Sequence, residues 1–266
     1  MKRLLNKTVL ITGGGRGIGL AMGKTFLQEG ANLAILDFSK ENLENAQKIL
    51  NGEPFCIQGD VSQKEDVERA FQKILERFGD FHVLVNNAGI IRPAMVHKME
   101  EKDWDAVIEV HLKGSFLCTQ EAAKYWIQKW KAENAQENHS SSSSAPNSRG
   151  KIINISSIAG LRGTIGQVNY ASAKSGILGL TMASARELGK YRINVNALAF
   201  GVLETEMSHK IRTDPKLREV YLNQIVLGRF GTVEEAARVA LFLASSDSDY
   251  ITGQILNMDG GFHIGL

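Results

Sequence analysis

Cysteine and net charge are both scarce in this sequence, and each shortage excludes a class of protein. The two cysteines, Cys56 and Cys118, stand far apart and outside any CxxC or Cys/His spacing. Neither a disulfide framework nor a metal site is therefore predicted, and a reducing cytoplasm is the expected location. A formal net charge of +2 is too small to predict binding to nucleic acid or to a membrane.

Long apolar runs are also missing. No stretch reaches the roughly 20 residues that cross a bilayer, so neither a transmembrane nor a targeting segment is expected. With 266 residues the chain can bury one large core, and we predict a single domain over residues 1–266.

Short apolar, β-branched runs alternate with longer amphipathic stretches along the chain. The runs predict strands at Thr8–Ile11, Asn32–Leu36, Phe55–Ile57, Val83–Val85, Lys151–Ile155, Ile193–Leu198 and Ile255–Met258. This alternation favours an α/β fold, a Rossmann-type doubly wound parallel sheet of about seven strands with helices on both faces. The spacings Ser62-x-x-Glu65 and Thr232-x-x-Glu235 are those of capping boxes and predict two helix starts.

A polar, serine-rich stretch interrupts the alternation between residues 132 and 149. It has nothing to bury, so we predict a flexible insertion after a helix that ends near Lys131. A loop from a helix to the next parallel strand lies at the sheet edge opposite the ligand crevice. A tolerated insertion is therefore favoured over a substrate lid.

Glycines fill the segment between the first strand and the next helix, Thr12-Gly13-Gly14-Gly15-Arg16-Gly17-Ile18-Gly19. Strand, glycine turn and helix follow the order of a dinucleotide site, where the helix N-terminus attracts a diphosphate. The next strand runs into Asp37, whose carboxylate can hold the adenosine ribose hydroxyls but repels a 2′-phosphate. Asp37 favours NAD(H) over NADP(H), whereas Arg16 argues weakly for NADP(H). An Asp37 that only caps the helix from Ser39 remains an alternative.

The pattern T-G-x-x-x-G-x-G, together with Asn86-Asn87-Ala88-Gly89, resembles the short-chain dehydrogenase/reductase family, and the resemblance runs nearly end to end. It implies that Asn87 stabilises the central sheet and that Asp60 contacts adenine. The full set of cofactor-binding residues that it implies is Gly13, Gly15, Arg16, Gly17, Ile18, Gly19, Asp37, Phe38, Asp60, Val61, Asn87, Ala88, Gly89, Tyr170, Lys174, Gly201 and Thr205.

Three further residues have the spacing of the family's catalytic set. Ser157 ends a predicted strand, while Tyr170 and Lys174 lie four residues apart on one helix face. The resemblance implies that Ser157 binds the substrate oxygen and that Tyr170 transfers the proton. A free phenol has a pKa near ~10, so Lys174 is expected to lower the pKa of Tyr170 and to hold the nicotinamide ribose. Ser156 is not chosen, because strand alternation turns it to the opposite face.

Two positions depart from the family's usual pattern. His111 stands where most members have an Asn that keeps a water in the proton relay to the active-site Lys, and it joins the predicted catalytic set. An imidazole also binds water and titrates near neutrality, which predicts added pH dependence, but a merely tolerated His is an equal alternative. Phe200 replaces the Pro of a Pro-Gly pair and is expected to place an aromatic ring near the nicotinamide.

The segments 110–114 and 165–170 look like the branch that contains 3-oxoacyl-[acyl-carrier-protein] reductases and 3-hydroxyacyl-CoA dehydrogenases. The resemblance implies an NAD(P)-dependent oxidoreductase that moves hydride between the cofactor and a 3-oxoacyl or 3-hydroxyacyl thioester of acyl carrier protein or CoA. It implies a homotetramer or homodimer as well. Residues from about 206 to 229 are expected to form a mobile substrate loop and helix. Its candidate apolar contacts are Met207, Ile211, Tyr221, Leu222, Ile225 and Val226, with packing within the helix as the alternative.

Two other functions remain open. A dehydrogenase of another secondary alcohol, such as a sugar alcohol, a steroid or a cyclic alcohol, would use the same residues, although the apolar loop argues against a sugar. A protein that senses NAD without turnover would be expected to lose Tyr170 or Lys174, and both are present.

Overall fold

Seven strands form one sheet in the computed structural model, which describes residues 2–51, 53–136 and 148–264. They are β1 (Thr8–Thr12), β2 (Asn32–Asp37), β3 (Phe55–Gln58), β4 (Val83–Asn86), β5 (Gly150–Ser157), β6 (Ile193–Phe200) and β7 (Ile255–Met258). Their order is β3-β2-β1-β4-β5-β6-β7, and every neighbouring pair is parallel. The winding reverses between β3 and β4, which opens a crevice at the carboxyl ends of β1 and β4.

Helices surround this sheet. They are α1 (Gly17–Gln28), α2 (Lys40–Ile49), α3 (Lys64–Phe78), α4 (Glu101–Ile108), α5 (Gly114–Gln136), α6 (Ala159–Arg162), α7 (Val168–Leu188), α8 (His209–Thr213), α9 (Pro215–Gln224) and α10 (Val233–Ala244). A π-helical turn, Glu109–Lys113, joins α4 to α5. None of the described helices is long and apolar enough to span a membrane.

Two apolar clusters occupy opposite faces of the sheet. One joins α1 and α10 to the sheet through side chains such as Phe26 and Leu241, and the other joins α3 and α5 through Phe71 and Trp126. Burial on both faces explains why the strands are almost continuously apolar. The predicted doubly wound α/β fold is confirmed, and all seven predicted strands are present.

Two local predictions are corrected. The capping box of Thr232 and Glu235 is present, but Ser62 caps nothing, because its hydroxyl donates to the Asp60 carboxylate at 2.8 Å and α3 begins only at Lys64. The helix predicted to end near Lys131 extends to Gln136, so the first part of the predicted insertion is helical. Arg149 at its far end pairs with Glu133 of α5. Residues 137–147 lie outside the described residues, and with them most of the serine-rich stretch.

Candidate active site

The glycine turn brings β1 into close contact with the loop after β4. Gly13 has a φ of +61°, and a Cβ there would lie 2.8 Å from the Cα of Ala88. A Cβ on Gly19 would lie 2.5 Å from the carbonyl oxygen of Gly13. Only glycine permits this packing of helix, turn and strand.

The N-terminus of α1 faces outward from this turn. Arg16 precedes α1 and is exposed, its side chain caps no backbone N–H, and the first turn contains no acidic residue. The first backbone N–H groups of a helix lack partners within it and carry partial positive charge. Together with half-buried Ile18, this end of α1 fits the diphosphate of a dinucleotide.

Asp37 lies at the end of β2 and links the glycine turn to the start of α2. Its carboxylate, only 8% exposed, accepts hydrogen bonds from the Gly15 N–H at 3.1 Å, the Ser39 N–H at 3.0 Å and the Asn42 amide at 3.3 Å. Ser39 itself caps α2. Capping of α2 alone therefore does not account for Asp37, because its carboxylate also binds the backbone of the glycine turn.

Asn87 fastens the carboxyl end of β1 to that of β4. Its side-chain amide donates to the carbonyl oxygens of Thr12, at 3.0 Å, and Gly13, at 2.9 Å. The Thr12 hydroxyl accepts from the backbone N–H groups of Asn87 and Ala88. The predicted role of Asn87 in stabilising the central sheet agrees with these contacts.

The other predicted adenine-side residues lie at the ends of β2 and β3. Phe38 is 74% exposed, Asp60 is half-buried and Val61 is buried. Asp60 also accepts the backbone N–H of Ser62 at 2.9 Å, so it shapes the loop into α3. The structure thus places them at the same sheet edge as Asp37.

The end of β5 separates two adjacent serines as strand alternation predicted. Ser156 is buried and donates to the backbone carbonyl of Lys174 at 2.9 Å. Ser157 is half-buried, and its hydroxyl accepts the N–H of Ala159 at 3.1 Å. Ser157 also neighbours the Tyr170 phenol, where its hydroxyl lowers the phenol pKa against the larger, opposite effect of burial.

Tyr170 and Lys174 occupy successive turns of α7. The Lys174 Nζ lies 5.6 Å from the centre of the Tyr170 ring and donates to the Ile155 carbonyl at 2.6 Å. Burial raises the pKa of Tyr170 above its ordinary value and lowers that of Lys174 to about 7. The expected lowering of the Tyr170 pKa is therefore not seen, because desolvation of the phenol outweighs the effect of its neighbours.

His111 lies in the π-helical turn and is only 2% exposed. Its Nε2 lies 2.8 Å from the carbonyl oxygen and 3.1 Å from the backbone nitrogen of Ile90, and its ring meets that of Tyr170 edge to face at 5.3 Å. Its Nδ1 is buried without a hydrogen-bond partner among the described residues.

The environment of His111 corrects one expectation. Burial, with the nearby Lys174 charge, lowers the pKa of the imidazole to about 3, so the predicted titration near neutrality is wrong. A Cβ on Gly89 would lie 2.2 Å from the imidazole, which shows how closely His111 supports the loop that follows β4. The water relay to Lys174 remains a prediction.

Phe200 does not enter the site. It ends β6, is 4% exposed and belongs to the core cluster that packs against α10. Without the fixed φ of proline the strand continues through this residue and pairs with Ser157 and Met258, which turns the ring into the core. Gly201 and half-buried Thr205 follow it, and the Thr205 backbone N–H donates to the Ser208 hydroxyl at 3.1 Å.

One residue that orients the site was missed. Asn169, fully buried beside Tyr170, donates to the backbone carbonyls of Arg92 and Asp103, and its side-chain oxygen accepts the Tyr170 N–H at 2.8 Å. These contacts fix the start of α7 against α4 and the segment before it. The partners are distant in sequence, so no local pattern could have revealed them.

The predicted substrate loop forms α8, α9 and the turn that follows them. Its candidate contacts differ in exposure. Met207 and Val226 are exposed, Ile211, Tyr221 and Leu222 are half-buried, and Ile225 is buried. Exposed apolar side chains are available to a substrate, whereas Ile225 belongs to a small apolar cluster.

The sequence matches the family model described as enoyl-(acyl carrier protein) reductase over residues 13–263. It is 43% identical to the 3-oxoacyl-[acyl-carrier-protein] reductase FabG of Thermotoga maritima, over 98% of this chain and 100% of the relative. The protein of the same name from Chlamydia muridarum is 39% identical over 97% and 98% of the two chains.

Solved structures show the same similarity. A short chain dehydrogenase from Bacillus anthracis has a TM-score of 0.83 at 33% identity and covers 97% of each chain. Levodione reductase has a TM-score of 0.88 at 31% identity, over 99% of this chain and 100% of the other. The similarity to these proteins, in sequence and in fold, therefore extends over nearly the whole chain.

Proposed function

The chain belongs to the short-chain dehydrogenase/reductase family, and from this premise we propose that it reduces a 3-oxoacyl thioester to the 3-hydroxyacyl thioester. It is a nicotinamide-dependent oxidoreductase that acts on a carbonyl or CH–OH group. The full-length relatives that carry the name 3-oxoacyl-[acyl-carrier-protein] reductase support the substrate class. Acyl carrier protein or CoA would carry the acyl chain.

The observation that carries the proposal is the grouping of Ser157, Tyr170 and Lys174 at the carboxyl edge of β5. When bound, the cofactor supplies the hydride. We assign to Ser157 a hydrogen bond to the substrate carbonyl oxygen, and to Tyr170 the proton that this oxygen gains. The raised pKa of Tyr170 keeps the phenol protonated at neutral pH, which suits a proton donor.

Lys174 has a separate role in this scheme. After the proton leaves, Tyr170 becomes a phenolate, and the Lys174 ammonium 5.6 Å from its ring centre stabilises that charge. Burial lowers the pKa of Lys174 to about 7, so the Lys174 amine can both gain and lose a proton at neutral pH. Lys174 also belongs to the residues that would hold the nicotinamide ribose.

We also propose that NAD(H) is the preferred cofactor. A carboxylate offers about four acceptor positions, and three protein donors bind Asp37. The remaining position suits a ribose hydroxyl, while the negative charge disfavours a 2′-phosphate. Arg16 is exposed in the glycine turn, directly after Gly15, and is the residue that would favour NADP(H).

The test is a steady-state assay that follows nicotinamide absorbance. The purified protein is offered NADH or NADPH with acetoacetyl-CoA, a 2-enoyl-CoA, or a panel of cyclic and open ketones. We expect NADH oxidation with acetoacetyl-CoA at the highest kcat/KM. A higher kcat/KM with the ketones or the enoyl thioester would overturn the substrate proposal, and turnover with NADPH alone would overturn the cofactor proposal.

Two further proposals concern the setting of the enzyme. A homotetramer or homodimer is proposed from family resemblance, and light scattering of the purified protein measures it. The free thiols of Cys56 and Cys118 agree with the reducing cytoplasm that we propose as its location.

A further inference from the structure

A small apolar cluster joins the active-site strand to the substrate loop and to the C-terminal end of the described chain. Its buried members are Ile158, Ile225, Phe230 and Phe262. Ile158 directly follows Ser157, Ile225 directly follows α9, and Phe262 lies beyond β7. The cluster is separate from the two clusters that fill the sheet faces.

The guanidinium of Arg162 bridges the same three segments. It lies at the end of α6, 4.7 Å above the centre of the Phe262 ring. Its Nη1 donates to the Phe262 carbonyl at 2.7 Å. Its Nη2 donates at 3.0 Å to the side-chain oxygen of Gln224, the last residue of α9. A planar guanidinium can make both hydrogen bonds and the stacking contact at once, which an ammonium cannot.

The turn after β7 packs against the end of the substrate loop. Gly260 and Gly261 have φ values of +64° and +84°, and a Cβ on Gly261 would lie 2.8 Å from the Cβ of Val226. The Leu227 N–H donates to the Gly260 carbonyl at 3.0 Å. Asp259 fixes this turn by accepting the backbone N–H groups of Gly261 and His263.

We propose that residues 259–263 and Arg162 form a latch that holds α9 and residues 225–228 over the carboxyl end of β5. Arg162 and Phe262 are positioning residues: their hydrogen bonds and stacking contact are with each other and with Gln224, and they act by setting the place of the substrate loop. The acyl chain of the substrate would be the ligand that depends on the latch, and this part of the inference rests on the proposed function.

Hydrogen–deuterium exchange and steady-state kinetics of Arg162→Gln and Phe262→Ala test the latch. We expect exchange in α9 to rise about tenfold while exchange in the β strands stays unchanged, because the loop opens locally. With acetoacetyl-CoA, KM should rise about tenfold in Arg162→Gln, because one or two hydrogen bonds to a charged group are lost. It should rise by a similar factor in Phe262→Ala, because the ring contacts with Arg162 and the apolar cluster are lost. In both variants kcat should change less than twofold. The Kd of NADH, measured by fluorescence, should stay constant.

Matched variants control for a general structural effect. Arg186→Gln removes an exposed arginine from the last turn of α7, outside the substrate loop, and Ile264→Ala shortens an exposed side chain next to the latch. Both should leave exchange and KM unchanged. Phe262→Leu keeps an apolar side chain and should restore part of the protection in α9.

Unchanged exchange in α9 for both Arg162→Gln and Phe262→Ala would overturn the latch. Equal rises in α9 and in the β strands would overturn it too, since they would show a global loss of stability. Exchange does not depend on turnover. If the wild-type protein does not reduce acetoacetyl-CoA but the latch variants expose α9, the proposed function fails and the latch stands.

Discussion

The two halves of the candidate site are formed by different kinds of chemical group. On the β1–β2 side, backbone N–H groups, glycines and the hydrogen-bonded carboxylate of Asp37 form the surface that fits a dinucleotide. On the β5–α7 side, Lys174 and His111 are buried and Tyr170 is half-buried, and desolvation shifts the pKa of each: Tyr170 upward, Lys174 to about 7 and His111 to about 3. Cofactor recognition therefore depends on backbone shape and one carboxylate, whereas the proposed chemistry depends on desolvation.

The largest expected effect is a loss of turnover that leaves cofactor binding unchanged. Tyr170→Phe removes the proposed proton donor, so kcat with acetoacetyl-CoA should fall by about 10³, within the usual contribution of general acid catalysis. The Kd of NADH should stay within about twofold, because the glycine turn is untouched. Tyr191→Phe, at the opposite sheet edge, should leave both values unchanged. Residual activity of Tyr170→Phe above one-tenth of wild type would refute the assignment.

The next effect is on the choice between NADH and NADPH, and it comes from a change in the cofactor half alone. Asp37→Asn removes the negative charge and keeps an oxygen acceptor for the Gly15 or Ser39 N–H. The ratio of kcat/KM for NADH over NADPH should fall about tenfold or more, the effect of ~1.4 kcal/mol of lost discrimination. Asp60→Asn, at the end of β3, should leave that ratio unchanged. A constant ratio in Asp37→Asn would contradict the role of this carboxylate.

The last effect is on stability rather than on turnover, and it measures the desolvation of His111 directly. The folded protein holds its pKa at about 3, against 6.5 for an unperturbed imidazole. The unfolded chain therefore binds the proton first as pH falls, and this group costs stability progressively from about pH 6.5 downward. Between pH 7 and pH 4.5, the unfolding free energy of His111→Asn should therefore fall by about 2–3 kcal/mol less than that of the wild type.

Urea unfolding at the two pH values measures that difference. His82, whose pKa burial lowers to about 4, is present in both proteins and cancels in the comparison. Equal losses of stability in the variant and the wild type would show that His111 is not desolvated as the structure indicates.

The sequence predicted the cofactor half better than the chemical half. The glycine turn, Asp37 and Asn87 are local signals at the ends of apolar strands, and the structure brings them together as expected. Ser157, Tyr170 and Lys174 were chosen through the family resemblance, and strand alternation and helical spacing predicted which face each side chain occupies.

Their electrostatic environment was not predictable. The Tyr170 pKa is raised rather than lowered, and His111 is held far from neutrality, because both depend on burial by residues distant in sequence. Phe200 was misplaced for a similar reason: its continued pairing with Ser157 in β5 turns the ring into the core. Asn169 acts on Tyr170 through partners near residues 92 and 103, which no local pattern connects.

The central claim is that burial, rather than residue type alone, sets the protonation of the chemical half. Lysine labelled with ¹³C at Cε allows the pKa of Lys174 to be read by NMR titration, with Lys174→Met as the assignment control. We predict one resonance, absent from the variant, that titrates near pH 7. A Lys174 resonance that titrates only near its ordinary value of 10.5 would contradict the account.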